Sequence, residues 1–142
     1  MKNLLLILAL AASLIGCATP PPAPPQHTTL FRPGEYGSKY YRIPALVTTT
    51  QGTLLAVADR RIESQGDLPN AIDLVLRRST DNGASWSEPI TIARHTEETG
   101  YGDAAVVADR TTGEVVCIFA SGCGLWASTA EQPLDIEVAR SN

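Results

Sequence analysis

The sequence predicts an all-β protein of the β-propeller class, of which these 142 residues cover fewer than two blades. Short β-like runs alternate with turn signals, and no amphipathic helix follows the N-terminal apolar segment. Two runs recur: "GTLLAVAD" from Gly52 returns as "GEVVCIFA" from Gly113, and "IDLVLRRS" from Ile72 returns loosely as "LDIEVARS" from Leu134. The offsets are 61 and 62 residues. A near-constant repeat of four short strands is typical of propeller blades.

The connections between the predicted strands are short turns. The segments "TTQG", "DNG" and "DRTTG" each end in glycine between two β-like runs. Such turns favour antiparallel hairpins, so the hairpin is the predicted local unit. The predicted strands cover residues 41–48, 53–59, 72–79, 90–93, 104–108 and 115–120.

The composition indicates a globular protein without an affinity for nucleic acid. Hydrophobic residues make up 44% of the chain and charged residues 18%, which is enough apolar surface to form a core. The formal net charge is -4 and the arginines are scattered, so no basic surface is available to follow a phosphate backbone. An anionic ligand would have to be bound locally.

Residues 1–17 resemble a bacterial lipoprotein signal peptide. Lys2 is followed by an apolar run over residues 4–15, and "LIGC" ends in Cys17 at the place of the cleavage site. We expect Cys17 to become the acylated N-terminus, which anchors the protein on a membrane without a transmembrane helix. Ala18 resembles sorting to the outer membrane or surface of a Gram-negative cell. A secretory signal cut near Ala18, or an uncleaved anchor, is the alternative.

Residues 18–29 are predicted to be a tether. The segment "TPPPAPPQ" favours extended polyproline II, at about 3.1 Å per residue, and would hold a folded domain away from the membrane. Residues 30–142 are then the folded part, which we expect to be an incomplete, N-terminal portion of the propeller.

The remaining cysteines and the histidines suggest no metal or cofactor. Cys117 and Cys123 could form a disulfide in an exported protein, but Cys117 lies in the apolar run "VVCIF", which favours a buried thiol. His27 and His95 have no second ligand at a useful spacing, so both are assigned to solvent.

The segment "STDNGASW" has a mechanical reason at each defined position. Asp81 can accept backbone N–H bonds within a hairpin turn that begins at Ser79, Gly83 supplies a positive φ, and Trp86 packs beneath the turn. This pattern resembles the Asp-box of sialidases and related propellers. The resemblance implies a structural role and no part in catalysis.

The segment "YRIPALV" extends the resemblance. Arg42, Ile43 and Pro44 open the first strand, and the Asp-box-like segment follows some forty residues later. Pro44 removes a backbone donor and is expected to keep Ile43 extended. Over about residues 30–142, the chain resembles a bacterial exo-α-sialidase of the six-bladed propeller type.

That resemblance implies roles for two arginines. Sialidases grip the carboxylate of sialic acid with three arginines, whose planar N–H forks match a carboxylate, and Arg42 corresponds to the first of them. A surface ion pair with an acid such as Glu35 is the ordinary alternative. The family form Asp-x-Arg selects Arg61, rather than a solvated Arg60, as a second pocket residue near the sugar ring.

The resemblance also implies an acid/base residue. Asp67 falls where the family keeps the carboxyl that protonates the leaving group and then activates water. Glu63 and Asp73 are rivals in the same region. Asp73 recurs as Asp135 in the repeat, which marks it as structural, whereas Asp67 has no counterpart.

Two further residues complete the expected pocket. Asp103 lies 61 residues after Arg42, and its place in the repeat predicts that it faces the same pocket, where the family binds a sugar hydroxyl. A turn-capping carboxylate is the alternative for Asp103. Trp126 either lines the pocket for the N-acyl group or is a core or loop aromatic.

The implied reaction is retaining hydrolysis of terminal α-linked sialic acids on glycoproteins, glycolipids and oligosaccharides. Sialidases use a tyrosine nucleophile, activated by a glutamate, and no cofactor. That pair and the other two arginines would lie beyond Asn142, so we expect this chain alone to be an inactive fragment. The alternative functions are a surface-anchored, non-catalytic glycan-binding propeller and a different glycoside hydrolase on the same scaffold.

Overall fold

The computed structural model describes residue 24 and residues 26–141. The predicted signal peptide, Cys17 and most of the tether lie outside the described residues, so these stay predictions. Within the part of the chain that is described, no helix has the length and apolar character needed to span a membrane.

Two antiparallel sheets make up the fold. The first contains β1 (Tyr40–Thr48), β2 (Leu54–Arg61), β3 (Ile72–Ser79) and β4 (Ile90–Ala93), in that order. The second contains β5 (Gly100–Ala108), β6 (Val115–Gly122) and β7 (Leu134–Ser141), with a short 3-10 helix, Leu125–Ala127, before β7. Each sheet is a meander of hairpins, because every strand pairs with the next one in sequence.

The strands confirm the predicted fold class and the predicted repeat. All six predicted strands form, and β7 occupies the second copy of "IDLVLRRS". β2 and β6 begin 61 residues apart, and β3 and β7 begin 62 apart. The second sheet therefore repeats the first three strands of the first sheet, as consecutive blades do.

The core lies between the two sheets. Val57 and Leu74 from the first sheet meet Ala104, Cys117 and Phe119 from the second. β2 is buried on both faces, since residues 56–59 are all buried, whereas Ile118 between Cys117 and Phe119 in β6 is exposed. Cys117 and Cys123 are both free, so the prediction of a buried thiol at Cys117 is confirmed, and burial raises its pKa.

The turn after β3 is closed by its own side chains. Asp81 Oδ1 accepts hydrogen bonds from Ser85 N at 2.9 Å and Ser79 Oγ at 2.7 Å. Hydrogen bonds from Ser85 and Ser79 lower the pKa of Asp81 to about 2. Gly83 has the predicted positive φ, 88°, and its carbonyl accepts a bond from Trp86 Nε1 at 3.2 Å. The turn therefore has the hydrogen bonds of Asp81 and the positive φ of Gly83 that the sequence predicts.

A β-bulge interrupts the first strand of each sheet. The register shifts between Arg42 and Ala45 in β1, and between Gly102 and Ala105 in β5. The prediction that Pro44 keeps Ile43 extended is wrong, since Ile43 has a φ of 53°, in the left-handed region. Two residues of β1, Ile43 and Pro44, lie opposite the single residue Ala58 of β2. The left-handed φ of Ile43 allows the chain to take up this extra residue and then resume pairing.

The bulges also correct the repeat. Asp103 has a φ of 59° and lies 60 residues after Ile43, which holds the same place in its own bulge. Asp103 is therefore equivalent to Ile43 and not to Arg42. The expected offset of 61 holds for β2 and β6 but not for β1 and β5, because the turn before β6 is one residue longer.

Candidate functional site

The candidate site lies where β1 begins and β2 ends. Antiparallel pairing places Tyr40 opposite Arg61 and Arg42 opposite Asp59. The loop of residues 62–71, which joins β2 to β3, crosses this end of the sheet. Residues that are up to 25 positions apart in sequence meet there as a consequence.

Three of the predicted site residues are in contact. Asp67 Oδ1 lies 2.8 Å from Arg61 Nη1 and 3.3 Å from Arg42 Nη1, so one carboxylate oxygen bridges two guanidinium groups. The side chain of Arg42 is 46% exposed and that of Asp67 is 70% exposed, whereas Arg61 is only 1% exposed. Arg42 and Asp67 are open to a ligand, and Arg61 lies beneath them. Glu35 pairs with Arg32 at 3.5 Å and not with Arg42.

The arginines also hold the loop that carries Asp67. Gln65 O accepts hydrogen bonds from Arg42 Nη1 at 3.0 Å and from Arg61 Nη1 at 2.6 Å, and Gly66 O accepts one from Arg61 at 2.8 Å. Asn70 Nδ2 donates to Asp67 O at 2.6 Å. The loop is therefore fixed to the sheet just before Asp67 and closed on itself just after it, which limits where the carboxylate can reach.

Asp59 is a site residue that the sequence analysis missed. It is 0% exposed; its Oδ2 accepts a bond from Arg61 Nη2 at 2.9 Å, and its Oδ1 accepts one from Asp103 N at 3.1 Å. Burial raises the pKa of Asp59 to about 6, against the opposing effect of Arg61. The form Asp-x-Arg could have predicted this contact, because residues i and i+2 of a strand share a face, which places Asp59 beside Arg61.

Asp103 is tied to the site through its main chain. Its N–H binds Asp59, and its side chain is exposed. Among the residues that the structure describes, no hydrogen bond joins the Asp103 carboxylate to Arg42, Arg61 or Asp67. The carboxylate is thus available beside the cluster without being part of it.

Arg60 belongs to a separate network. It pairs with Asp73, which is fully buried and also accepts bonds from His95, at 2.7 Å from the backbone N and 2.6 Å from Nδ1. Burial opposes ionisation, but the bonds from Arg60 and His95 outweigh it and lower the pKa of Asp73. The assignments of Arg60 and His95 to solvent are wrong, since Asp73 draws both inward. Asp73 is structural, as its recurrence predicted.

Trp126 lies on the surface of a loop next to the site. Its residue is 98% exposed, within the short helix Leu125–Ala127, so a core position is excluded. The same loop touches the loop of Asp67: a Cβ on Gly124 would lie 2.2 Å from Leu68 O. Only a glycine allows this approach of the two backbones.

The described residues offer no cluster for a metal ion. No group of three or more His, Cys, Asp and Glu side chains within residue 24 and residues 26–141 is placed to bind one. The chemistry available at the site is that of guanidinium groups and carboxylates, which can bind an anion and transfer a proton.

Known proteins with related sequences are sialidases. The chain is 38% identical to a sialidase of Bacteroides fragilis over 89 residues, which are 58% of this chain and 16% of that protein. It is 34% identical to a sialidase of Micromonospora viridifaciens over 110 residues, which are 74% of this chain and 17% of that protein. The chain thus spans about a sixth of the length of these relatives. No protein-family model matches it.

Solved structures agree with the sequence matches. A Hadza microbial sialidase superposes with a TM-score of 0.69 at 31% identity, over 77% of this chain and 25% of that one. The resemblance to bacterial sialidases, first drawn from "YRIPALV" and "STDNGASW", is confirmed by relatives in both sequence and fold.

Proposed function

We propose that this chain, a homologue of the bacterial sialidases, carries part of the site with which the full-length protein releases terminal α-linked sialic acids. One observation carries the proposal: Arg42, Arg61 and Asp67 converge at the end of the first sheet, with one carboxylate oxygen within 3.3 Å of both guanidinium groups. Hydrolysis of an anionic glycoside requires cations that bind the substrate carboxylate and an acid that protonates the leaving group, and this part of the site offers both.

In this proposal, Arg42 binds the carboxylate of the sugar. Its guanidinium is partly exposed, and its contacts with Gln65 O and Asp67 both involve Nη1. A planar fork can offer two parallel N–H bonds to a carboxylate, which a lysine cannot do. Arg42 therefore orients the anomeric carbon of the sialic acid, which bears that carboxylate, toward the loop that carries Asp67.

Asp67 acts as the general acid and then as the general base. It gives its proton to the glycosidic oxygen as the aglycone departs, and it takes a proton from the water that releases the sugar. A tyrosine elsewhere in the full-length protein, activated by a glutamate, forms the covalent intermediate, so the anomeric configuration is retained. None of Tyr36, Tyr40, Tyr41 and Tyr101 matches the motif of that nucleophile.

We also propose that the protein acts on glycans outside the cell while anchored through acylated Cys17. The support is the sequence "LIGC" and the proline-rich segment after it. Cys17→Ser should move the full-length protein from the membrane fraction to the soluble fraction and abolish labelling by a radioactive fatty acid. Retention of both properties by the variant would contradict the anchor.

The function is tested by release of sialic acid from a fluorogenic α-sialoside by the full-length protein. We expect the wild type to release free sialic acid with retained configuration, identified by proton NMR. Binding of sialylated glycans without release would instead favour the non-catalytic propeller. For Asp67 the substrate is 3′-sialyllactose, whose leaving group needs a proton, and Asp67→Ala should be strongly impaired with it. Undiminished release from 3′-sialyllactose by Asp67→Ala would remove Asp67 from the acid/base role.

A further inference from the structure

Asp59 contacts both sheets at the candidate site. From β2 it accepts a hydrogen bond from Arg61 in its own strand and another from the main chain of Asp103, which is 44 positions away in β5. Because both of its oxygens are occupied and it is fully buried, Asp59 is not available to a substrate. Its position instead decides where two neighbouring groups lie.

The first of these groups is the guanidinium of Arg61. A guanidinium is a rigid plane, so a bond that fixes Nη2 also fixes the direction of Nη1. Asp59 holds Nη2 at 2.9 Å, and Nη1 then lies 2.8 Å from Asp67 Oδ1 and within bonding distance of Gln65 O and Gly66 O. The carboxylate of Asp59 therefore aims Arg61 at the loop of the proposed acid/base residue.

The second group is the bulge in β5. Asp103 has a φ of 59°, which is uncommon for a residue other than glycine, and its N–H points at Asp59 Oδ1. Gly102 makes the approach possible, since a Cβ there would lie 3.1 Å from Asp59 Oδ2. The second sheet is thus bound to the first at the backbone N–H of Asp103, the same residue whose side chain is expected to face the sugar.

We propose that Asp59 is a positioning residue that sets Arg61 of the first sheet and Asp103 of the second sheet in one geometry for binding the sugar. This inference rests on the proposed function. It assigns to one buried carboxylate the alignment of two pocket residues that belong to different blades.

The competing explanation is that Asp59 only neutralises a buried arginine during folding. Asp73 provides a matched control, because it is an equally buried aspartate in the same sheet and pairs with the adjacent arginine, Arg60. Its other partner is His95, so its contacts lead away from the loop of Asp67. Asp59→Asn and Asp73→Asn remove the same charge and keep the same shape.

The experiment measures KM and kcat for an α-sialoside, together with thermal unfolding, in the full-length wild type and both variants. An asparagine at 59 places an N–H₂ or a neutral oxygen against Arg61, so we expect KM to rise about tenfold with a smaller change in kcat. Asp73→Asn should keep KM within about twofold of wild type while the protein is folded, even if its unfolding temperature falls. Equal KM values for the two variants would overturn the inference.

Two further measurements keep the outcome decisive. If Asp59→Asn does not fold, Gly102→Ala presses on the same carboxylate and should raise KM severalfold; an unchanged KM in a folded Gly102→Ala protein would overturn the inference.

If the wild type binds free sialic acid but releases none, the proposed function fails, and the Kd values of the variants for sialic acid decide the role of Asp59. If the wild type neither binds nor releases sialic acid, both proposals fall.

Discussion

Asp67 lies beside the two arginines with which it would share a substrate. A single oxygen of its carboxylate accepts contacts from Arg42 and Arg61, which come from two strands, while the rest of the side chain faces solvent. Both guanidinium groups contact this one oxygen, and a substrate carboxylate would compete with it for Arg42. We therefore expect the contacts of Asp67 to change when an anionic ligand binds.

Replacement of Asp67 should affect substrates according to their leaving group. An asparagine cannot transfer a proton, so Asp67→Asn in the full-length protein should lower kcat for 3′-sialyllactose by about 10²–10⁴-fold. A fluorogenic sialoside, whose aglycone departs without strong proton donation, should be affected less. Glu63→Gln, at an exposed carboxylate in the same loop, is the control, and steady-state kinetics would show the difference. An equal loss in both variants would argue against a specific acid.

The buried carboxyl of Asp59 should make stability depend on pH. Its pKa rises from 3.8 to about 6 on folding, so the folded state binds the proton more tightly than the unfolded state. The stabilising contribution is complete below pH 3.8 and is lost as pH rises toward about 6. Arg61, Asp67 and Asp103 are the charged groups around it.

This dependence can be measured as the unfolding temperature between pH 4 and about 7 in the full-length wild type and Asp59→Asn. We expect the wild-type curve to contain a component that falls over this range and is absent from the variant. Parallel curves would show that Asp59 does not titrate in the window given by its raised pKa.

At the scale of elements, the hairpin turns form the sheets, and the bulges lie beside the candidate site. The hairpins are set by local sequence, as the turn of Ser79, Asp81 and Gly83 shows, because its side chains bond to their own backbone. The bulges at Ile43 and Asp103 instead come at the same place in each sheet and lie next to the candidate site. A bulge changes the direction of the side chains beside it, and Arg42 immediately precedes the bulge near the beginning of β1.

The turn after β3 should be sensitive to backbone conformation. Gly83 has a φ of 88°, so Gly83→Ala should destabilise the full-length protein by about 1–2 kcal/mol, measured by urea unfolding, without altering sialic acid release. The neighbouring Ala84→Gly should change stability by no more than about 1 kcal/mol. A neutral Gly83→Ala would mean that the turn relaxes to another conformation.

Strands and turns could be read from the sequence because their causes are local, and the site could be read only in part. Arg42, Arg61 and Asp67 were found through motifs, whereas Asp59 owes its role to a contact with β5, 44 positions away. His95 likewise meets Asp73 across 22 positions. Ile43 shows the same limit, since the usual preference of a residue before proline is overridden by the pairing of the sheet.

At the scale of the whole molecule, one face of the second sheet is packed and the other is open. The packed face contributes Ala104, Cys117 and Phe119 to the core. On the open face, each of the three strands contributes exposed apolar side chains, namely Val107, Ile118, Ile136 and Val138. A contiguous apolar face of this kind is typical of a blade that packs on a neighbour.

A charge on this open face should report whether a further blade covers it. In the full-length protein, Ile136→Asp should cost about 3 kcal/mol of stability, because the carboxylate would be buried without a partner. The same change in the 142-residue chain should be nearly neutral, as should Gln51→Asp, in an exposed turn, in either protein. A neutral Ile136→Asp in the full-length protein would show that this face stays open.

The most direct test of the central claim is whether Arg42 recognises a carboxylate. It compares kcat/KM for an α-sialoside and for its carboxymethyl ester, in the full-length wild type and in Arg42→Met. A hydrogen-bonded charge is worth about 1.5–3 kcal/mol, so the preference for the free carboxylate should shrink by about 10–150-fold in Arg42→Met. If Arg42→Met is folded and keeps the full wild-type preference, Arg42 does not bind the carboxylate and the proposed site is wrong.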